Sequence, residues 1–315
     1  MRNLHVGPWA AGAAVAIAIT LLTKGAYATS VVNLVAISAL IAASLRFGML
    51  IGLVSFATST FVAFGAYGAG IATTLLHWPF PVAMIVGPIV IIGVSILFGV
   101  ITLRIKGPYF MLIGFAFSEA IRITLSKVSL IGGVSGMAGI FPPAFLEQWL
   151  STVVMGVAIL TMFALYAIER SDFGKVLVAI RDNEDIPRTV GLNVLALKVA
   201  CFAIASFCAG IAGGLHAFVN NVISPGDFSY LLTVFALAYV KVGGESSIFG
   251  AIGGAIVLVL VSTFALGLGA GEQFVYGGAI ALAMLLMPQG LAGIPWKKWF
   301  GRLKGTEAAT GGAAP

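Results

Sequence analysis

The ionisable side chains of this 315-residue chain are concentrated in one segment, residues 169–198. The segment reads ERSDFGKVLVAIRDNEDIPRTVGLNVLALK, and residues 169–188 hold nine of the 28 Asp, Glu, Lys and Arg side chains. By contrast, residues 47–103 contain no acidic or basic side chain except His77. Charge gathered in this way indicates one long, water-exposed surface that is available to a soluble partner.

Motifs that would support enzyme chemistry are missing from the sequence. No G-x-x-x-x-G-K-[ST] phosphate loop occurs, so we do not expect this chain to hydrolyse ATP by itself. H-E-x-x-H, C-x-x-C and G-x-S-x-G patterns are missing as well. Cys201 and Cys208 lie seven residues apart in an apolar segment, where a buried, inert pair is favoured over a disulfide or a metal site. We therefore predict no catalytic residue, no metal site and no cofactor in this chain.

The composition is that of a polytopic membrane protein. It is 60% hydrophobic and 9% charged with a mean hydropathy of +1.10, against about 25% charged residues in soluble domains. Uncharged runs long enough to span a bilayer recur along the chain. They are residues 3–23, 25–45, 47–103 (two passes, broken near 77–81), 148–168, 199–226, 246–271 and 273–296, with weaker candidates at 107–126 and 228–240.

These runs predict an all-α transmembrane bundle of about 8–10 helices with glycine-broken or re-entrant segments. We expect one transmembrane domain over residues 1–304, with residues 169–198 as its long loop and residues 305–315 as a disordered tail. The segment at 228–240 is too short to span unaided and is the re-entrant candidate.

Lysine and arginine positions predict the orientation. With ten crossings and both termini cytoplasmic, 14 of the 17 Lys and Arg residues face the cytoplasm, and Lys24, Arg122 and Lys127 do not. Residues 169–198 are then cytoplasmic. The pI of 9.4 reflects this topology and does not indicate a nucleic-acid partner.

Glycine is the second compositional signal. The chain has 40 glycines, nearly twice the usual share of about 7%, and two clusters lie at residues 65–70 and 243–254. In a membrane, small residues permit close helix packing, and they also occur where helices break around a solute path. Both interpretations remain open for each cluster.

The charged segment has an interpretable order. Gly174 is expected to end the incoming helix, and Lys175–Ile180 then forms a short helix with an apolar face made by Val176, Leu177 and Ile180. Residues 181–185 supply polar contacts, and Pro187 and Gly191 stop the segment. Such a helix suits docking into a groove of a soluble partner, and the alternative is a simple connecting loop.

Glu119 and Arg122 are charges within a predicted membrane segment. They lie at i and i+3, within reach of each other on one helix face. Because charges are costly inside a bilayer, they either contact a solute path or form a neutral pair that fixes helix packing. A secondary transporter or channel would need more such groups, so that class is the weaker alternative.

Four stretches resemble the branched-chain amino acid ABC importer permeases of the LivM type. The sequence FGKVLVAIRDNEDIPRTVGLNVLALKVACFAIASFCAGIAGGLHA resembles that family's cytoplasmic-loop motif. GPYFMLIGFAFSEAIR resembles a second family motif and matches it at Gly107, Tyr109, Phe110, Ala116, Phe117, Glu119 and Arg122. The remaining matches are Ser55, Phe61, Gly65, Ala66 and Tyr67 in a third motif and Gly132, Gly133, Gly136 and Gly139 in a fourth. The similarity runs from about residue 30 to residue 290.

The resemblance implies a multi-subunit importer in a bacterial inner membrane, surrounded by membrane lipid. A homologous second permease subunit would complete the pathway, and a periplasmic or lipoprotein solute-binding protein would deliver the solute. Two ABC ATPase subunits, which carry ATP and Mg²⁺, would bind the cytoplasmic loop.

The resemblance also implies two sets of functional residues. The coupling set is Gly174, Lys175, Ile180, Arg181, Asp182, Asn183, Glu184 and Gly191. The pathway or gate set is Ser55, Thr58, Tyr67, Phe117, Glu119, Arg122, Gly132, Gly133 and Gly136.

The solute implied by the resemblance is a branched-chain or related amino acid. The chain departs from the family pattern at Ala57-Thr58, at residues 131–135 and at Phe249, where polar or small family residues are replaced. Urea, short amides and small carboxylates therefore remain alternative solutes.

Overall fold

A computed structural model describes residues 6–22, 25–105 and 107–265, with scattered positions between 277 and 290. Apart from those positions, the predicted span at 273–296 and the tail at 305–315 lie outside the described residues. The described part is almost entirely helical. Its β-structure consists of strands β1 (Met137–Ala138) and β2 (Val222–Ile223), which pair antiparallel. The predicted all-α polytopic bundle is confirmed.

Twelve α-helices follow one another in the described residues. They are α1 (Val6–Leu22), α2 (Ala26–Gly48), α3 (Thr58–Thr74), α4 (Phe80–Thr102), α5 (Pro108–Lys127), α6 (Ala144–Glu147), α7 (Leu150–Arg170), α8 (Asp172–Asp182), α9 (Asp185–Thr189), α10 (Val194–Asn220), α11 (Tyr230–Gly243) and α12 (Ile248–Ala265).

Six of these helices are long and apolar enough to cross a membrane: α2, α4, α5, α7, α10 and α12. The predicted break within residues 47–103 is also found, because α3 ends at Thr74 and α4 begins at Phe80. His77 turns the chain there with a positive φ of 51°. At the predicted re-entrant position, α11 has 14 residues and rises only about 21 Å, less than the bilayer core of about 30 Å.

The glycines at 65–70 serve close packing within an unbroken helix α3, which contacts α4 and α10 extensively. A Cβ on Gly65 would overlap the carbonyl oxygen of Gly210 in α10, and one on Gly213 would overlap the carbonyl oxygen of Val62. Toward α4, a Cβ on Gly68 would come within 2.5 Å of the Cα of Gly87. Of the two interpretations of this cluster, close packing is therefore confirmed.

The glycines at 243–254 both end a helix and allow a close crossing. Helix α11 ends at Gly243, and Gly244 has a positive φ of 104° that suits glycine. A Cβ on Gly243 would overlap the carbonyl oxygen of Gly250, and a Cβ on Gly254 would overlap that of Tyr239. The chain turns sharply here, so that α11 and α12 pack against each other.

Candidate functional site

The charged segment folds as two short helices between α7 and α10. The structure corrects the predicted role of Gly174: α7 ends at Arg170, and Gly174 lies inside α8. A Cβ on Gly174 would overlap the carbonyl oxygen of Glu169, so glycine is needed here for close contact between α8 and the end of α7. Gly191 has a φ of 82° and lies between α9 and α10, in agreement with its predicted role as a stop.

The apolar face of α8 points into this chain. Leu177 and Ile180 are 0% and 1% exposed, and α8 packs against α7, α10 and the turn Met49–Ile51. The expectation that these two side chains face a partner is therefore wrong for the folded chain. Burial within the chain removes their apolar area from water and so stabilises the fold without a second protein.

The exposed apolar side chains of the segment lie further along, on and after α9. Ile186 and Val190 are 62% and 72% exposed, and Leu192 is 40% exposed. Sequence reasoning missed all three, although the i, i+4 spacing of Ile186 and Val190 is the signal of a shared helix face. The same segment also carries exposed charged side chains: Arg181, Asp182, Asp185 and Arg188.

Glu184 anchors α9 to α10. Its carboxylate accepts hydrogen bonds from Lys198 Nζ at 2.6 Å and from Arg188 Nη2 at 3.3 Å. The Lys198 side chain is only 5% exposed, so its charge is neutralised within the chain. Beside this pair, Asn183 Oδ1 accepts a hydrogen bond of 2.9 Å from the backbone N–H of Asp185, which forms an Asx turn just before α9.

Lys175, by contrast, lies at the surface of α8. Its Nζ is 2.6 Å from Asp172 Oδ1, and the two side chains are 68% and 95% exposed. The hydrogen bond from Lys175, together with its charge, lowers the pKa of Asp172 below the usual aspartate value. This pair stays on the outer face of α8 and holds no other element.

Arg46, at the end of α2, makes a contact that sequence reasoning did not anticipate. Its Nη1 and Nη2 donate to the two carboxylate oxygens of Glu169, both at 2.7 Å, and its Nε donates to the Glu245 carbonyl oxygen at 2.9 Å. The Arg46 side chain is 3% exposed. The partners are 123 and 199 residues away, and no local sequence signal connects them.

A polar cavity of about 210 Å³ adjoins this contact. Gly52 lines it with a φ of 77°, and a Cβ there would lie 2.9 Å from Cγ of Arg181. The end of α8 thus rests on the chain between α2 and α3. The other lining residues are Arg46, Met49, Leu50, Val54, Lys241 and Glu245.

Glu119 and Arg122 form an ion pair on α5. Arg122 Nε and Nη2 both lie 2.8 Å from Glu119 Oε2, with side-chain exposures of 33% and 21% for Arg122 and Glu119. The other oxygen, Oε1 of Glu119, is buried and has no hydrogen-bond partner among the residues that the structure describes. Because both residues belong to one helix, their pair does not join two helices.

Other predicted pathway residues lie inside the subunit. Ser55 and Thr58 are buried beside a cavity of about 20 Å³, enough for one water molecule. Tyr67 is 2% exposed, and its ring lies 6.0 Å from that of Phe228. Phe117 is half-buried against Phe98, with ring centroids 4.5 Å apart.

Gly132, Gly133 and Gly136 shape the loop after α5. Their φ values are 82°, 56° and 78°, a conformation that glycine adopts without strain. A Cβ on Gly136 would overlap the carbonyl oxygen of Ile223 in β2. The turn Gly133–Ser135 contacts α5 and the turn Pro225–Phe228, whereas α8 contacts α7, α9, α10 and the turn Met49–Ile51.

Comparison with known proteins identifies relatives of this chain. Residues 27–288 match the family model described as branched-chain amino acid transport system / permease component. The LivM permease proteins of Escherichia coli and Salmonella typhimurium, described as parts of high-affinity branched-chain amino acid transport systems, are each 26% identical over 270 residues. That alignment covers 76% of this chain and 64% of each relative.

A third relative is archaeal. The probable branched-chain amino acid transport permease protein LivH of Methanocaldococcus jannaschii is 32% identical over 152 residues, which cover 45% of this chain and 48% of that protein. No solved structure matches the chain. Since the family model covers most of the chain, and since the chain folds as a multi-pass helical membrane protein, it belongs to the family of branched-chain amino acid transport system permease components.

Proposed function

We propose that this chain is the permease subunit of an ATP-binding-cassette importer and forms half of a pathway for branched-chain or related amino acids. Two cytoplasmic ATPases would bind ATP and Mg²⁺, a homologous permease would complete the pathway, and a solute-binding protein would deliver the solute. The membrane is a bacterial inner membrane, with the α8–α9 segment and both termini in the cytoplasm. The printed names of the relatives support the solute class.

The observation that carries the proposal is the construction of the α8–α9 segment. Its inner face is buried against the transmembrane helices through Leu177 and Ile180, and Glu184 ties it to Lys198. Its outer face presents Ile186 and Val190 among charged side chains. An exposed apolar centre with a polar rim is the usual anatomy of a protein-binding surface.

The face made by α5 and α11 is our proposed contact for the second permease subunit. Between these helices lies an open apolar groove of about 490 Å³, whose lining includes Tyr109, Leu112 and Tyr230. One turn beyond Phe115, which also lines the groove, is the Glu119–Arg122 pair. The two side chains are 33% and 21% exposed, and exposing an ion pair to lipid costs free energy. This face would therefore meet protein or a water-filled path.

Replacing Ile186 and Val190 together by Asp is expected to release the ATPase. The two charges remove the apolar centre of the proposed docking surface without touching the buried face of α8. The measurement is the amount of ATPase that co-purifies with a tagged permease. In the matched control, Leu130→Asp with Val134→Asp alters two exposed apolar residues near the gate loop, and the ATPase should stay bound. Full retention of ATPase by the Ile186/Val190 variant would contradict the docking assignment.

The Glu119–Arg122 pair is expected to act in the pathway. We predict that Glu119→Gln with Arg122→Gln, which removes both charges at once, lowers solute uptake by about 10–100-fold, the value of one hydrogen bond to a charged group. ATPase binding should be unchanged, because α8 and α9 are untouched. Uptake of labelled leucine in proteoliposomes, with unlabelled urea, amides and carboxylates as competitors, measures both the loss and the solute class. Normal uptake by this variant would show that the pair serves only packing.

A further inference from the structure

The Arg46 guanidinium joins three parts of the chain that are distant in sequence. It extends from α2, grips the carboxylate of Glu169 in the last turn of α7 with two hydrogen bonds of 2.7 Å, and donates to the carbonyl oxygen of Glu245 between α11 and α12. The side chain is 3% exposed, so water competes little for these bonds. The two-pronged geometry also restricts rotation between the partners.

Glu169 is held from two sides. Its carboxylate is bound by Arg46. Its backbone carbonyl oxygen lies so close to α8 that it would overlap a Cβ on Gly174. Helix α8 begins only three residues later, at Asp172. We therefore expect a displacement of α8 to move Glu169 and, through Arg46, to move α2 and the α11–α12 turn.

We propose that Arg46 and Glu169 are positioning residues that transmit the movement of α8 to α2, α11 and α12 and so couple ATP hydrolysis to transport. This proposal rests on the proposed function. Arg46 itself is placed to touch neither the solute nor the ATPase, since its side chain is 3% exposed and its guanidinium is bound by Glu169 and by the Glu245 carbonyl oxygen. The bidentate pair acts as a rigid joint between the segment that the ATPase binds and the helices that line or flank the pathway.

The test uses the complete complex and a variant that removes both charges, Arg46→Gln with Glu169→Gln. Removing one charge alone would leave the other buried and unpaired, which destabilises the fold for reasons unrelated to coupling. Three quantities are measured: ATPase co-purification, ATP hydrolysis with and without solute-loaded binding protein, and uptake in proteoliposomes.

We expect the double variant to retain its ATPase and its basal hydrolysis. Solute-stimulated hydrolysis and uptake should both fall at least about tenfold, within the usual range of coupling between sites. The charge-reversed pair, Arg46→Glu with Glu169→Arg, should recover part of the lost stimulation. The matched control is Lys127→Gln with Glu147→Gln, which removes one exposed positive and one exposed negative charge outside the α8–α9 segment and outside the joint, and it should transport normally.

Two results with the complex would overturn the proposal. One is normal uptake by the double-neutral variant. The other is loss of the ATPase together with uptake, which would make the contact a structural anchor of the docking surface. Should the double variant fail to insert, Arg46→Lys keeps the charge but loses the two-pronged geometry, and it is judged by the same measurements.

A second measurement separates this inference from the proposed function. If the unaltered permease brings down no ATPase, the importer proposal fails, and the joint is then tested on the chain itself by amide hydrogen exchange. Exchange in α8 at least about tenfold faster in the double-neutral variant would support the joint. Unchanged exchange would overturn it.

Discussion

Gly65→Leu is expected to prevent the accumulation of folded permease in the membrane. A Cβ at residue 65 would already overlap the carbonyl oxygen of Gly210, so a leucine must push α3 away from α10. The obstacle is helix backbone, which cannot rotate out of the way as a side chain does. Because this contact lies between central helices, we expect a loss of more than about 4 kcal/mol of stability, which is exceptional for a single substitution and is typical of overpacking.

The measurement is the yield of monodisperse protein by gel filtration after extraction in mild detergent. Gly93→Leu is the matched control, since Gly93 is also a helical glycine but a Cβ there meets nothing within 4 Å. The control should accumulate to normal levels. Equal yields from the two variants would mean that α3 and α10 are not in close backbone contact.

Lys198→Met is expected to have the second-largest effect, because it removes the buried cation that pairs with the carboxylate of Glu184. The Lys198 ammonium is 2.6 Å from Glu184 Oε1 and 5% exposed, and methionine fills similar space without charge. Breaking one partner of a buried pair costs about 3–5 kcal/mol. The Glu184 side chain is 21% exposed and also accepts a hydrogen bond from Arg188. After allowing for solvent screening, we therefore expect a loss of about 2–3 kcal/mol in the free energy of unfolding.

This loss should lower the Tm by about 5–10 °C in a thermal-shift assay. Adding Glu184→Gln to Lys198→Met also removes the negative charge that Lys198 balanced, and it should restore most of the Tm. Lys175→Met, which removes the lysine of an exposed pair, should leave the Tm unchanged. A Tm equally low in the single and double variants would contradict the proposed anchor between α9 and α10.

Several features could be predicted from the sequence because their causes are local. Long uncharged runs predict membrane helices wherever they occur, since the bilayer sets their length. His77 and the neighbouring prolines likewise predicted the break between α3 and α4. Glu119 and Arg122, three residues apart, were predicted to lie within reach of each other, and they form an ion pair.

The prediction for the charged segment was only partly correct, for a physical reason. Sequence periodicity shows that Leu177 and Ile180 share a helix face, but it does not show which surface covers that face. The nearest available apolar surface belonged to this chain, so α8 is buried there, and the exposed apolar side chains are Ile186 and Val190. The role of Gly174 was also predicted wrongly. Glycine is needed there for close contact with the carbonyl oxygen of Glu169, and not to end a helix.

By itself, the sequence determined that the chain is a multi-pass helical membrane protein with one charged segment, and its motifs indicated the family. These properties follow from composition, from helix length and from order along the chain. Only the tertiary structure decided which residues meet across more than a hundred positions: Arg46 with Glu169 and with the carbonyl oxygen of Glu245, and Gly65 with Gly210. Such contacts depend on how helices cross and at what height, and no local pattern of residue types encodes either quantity.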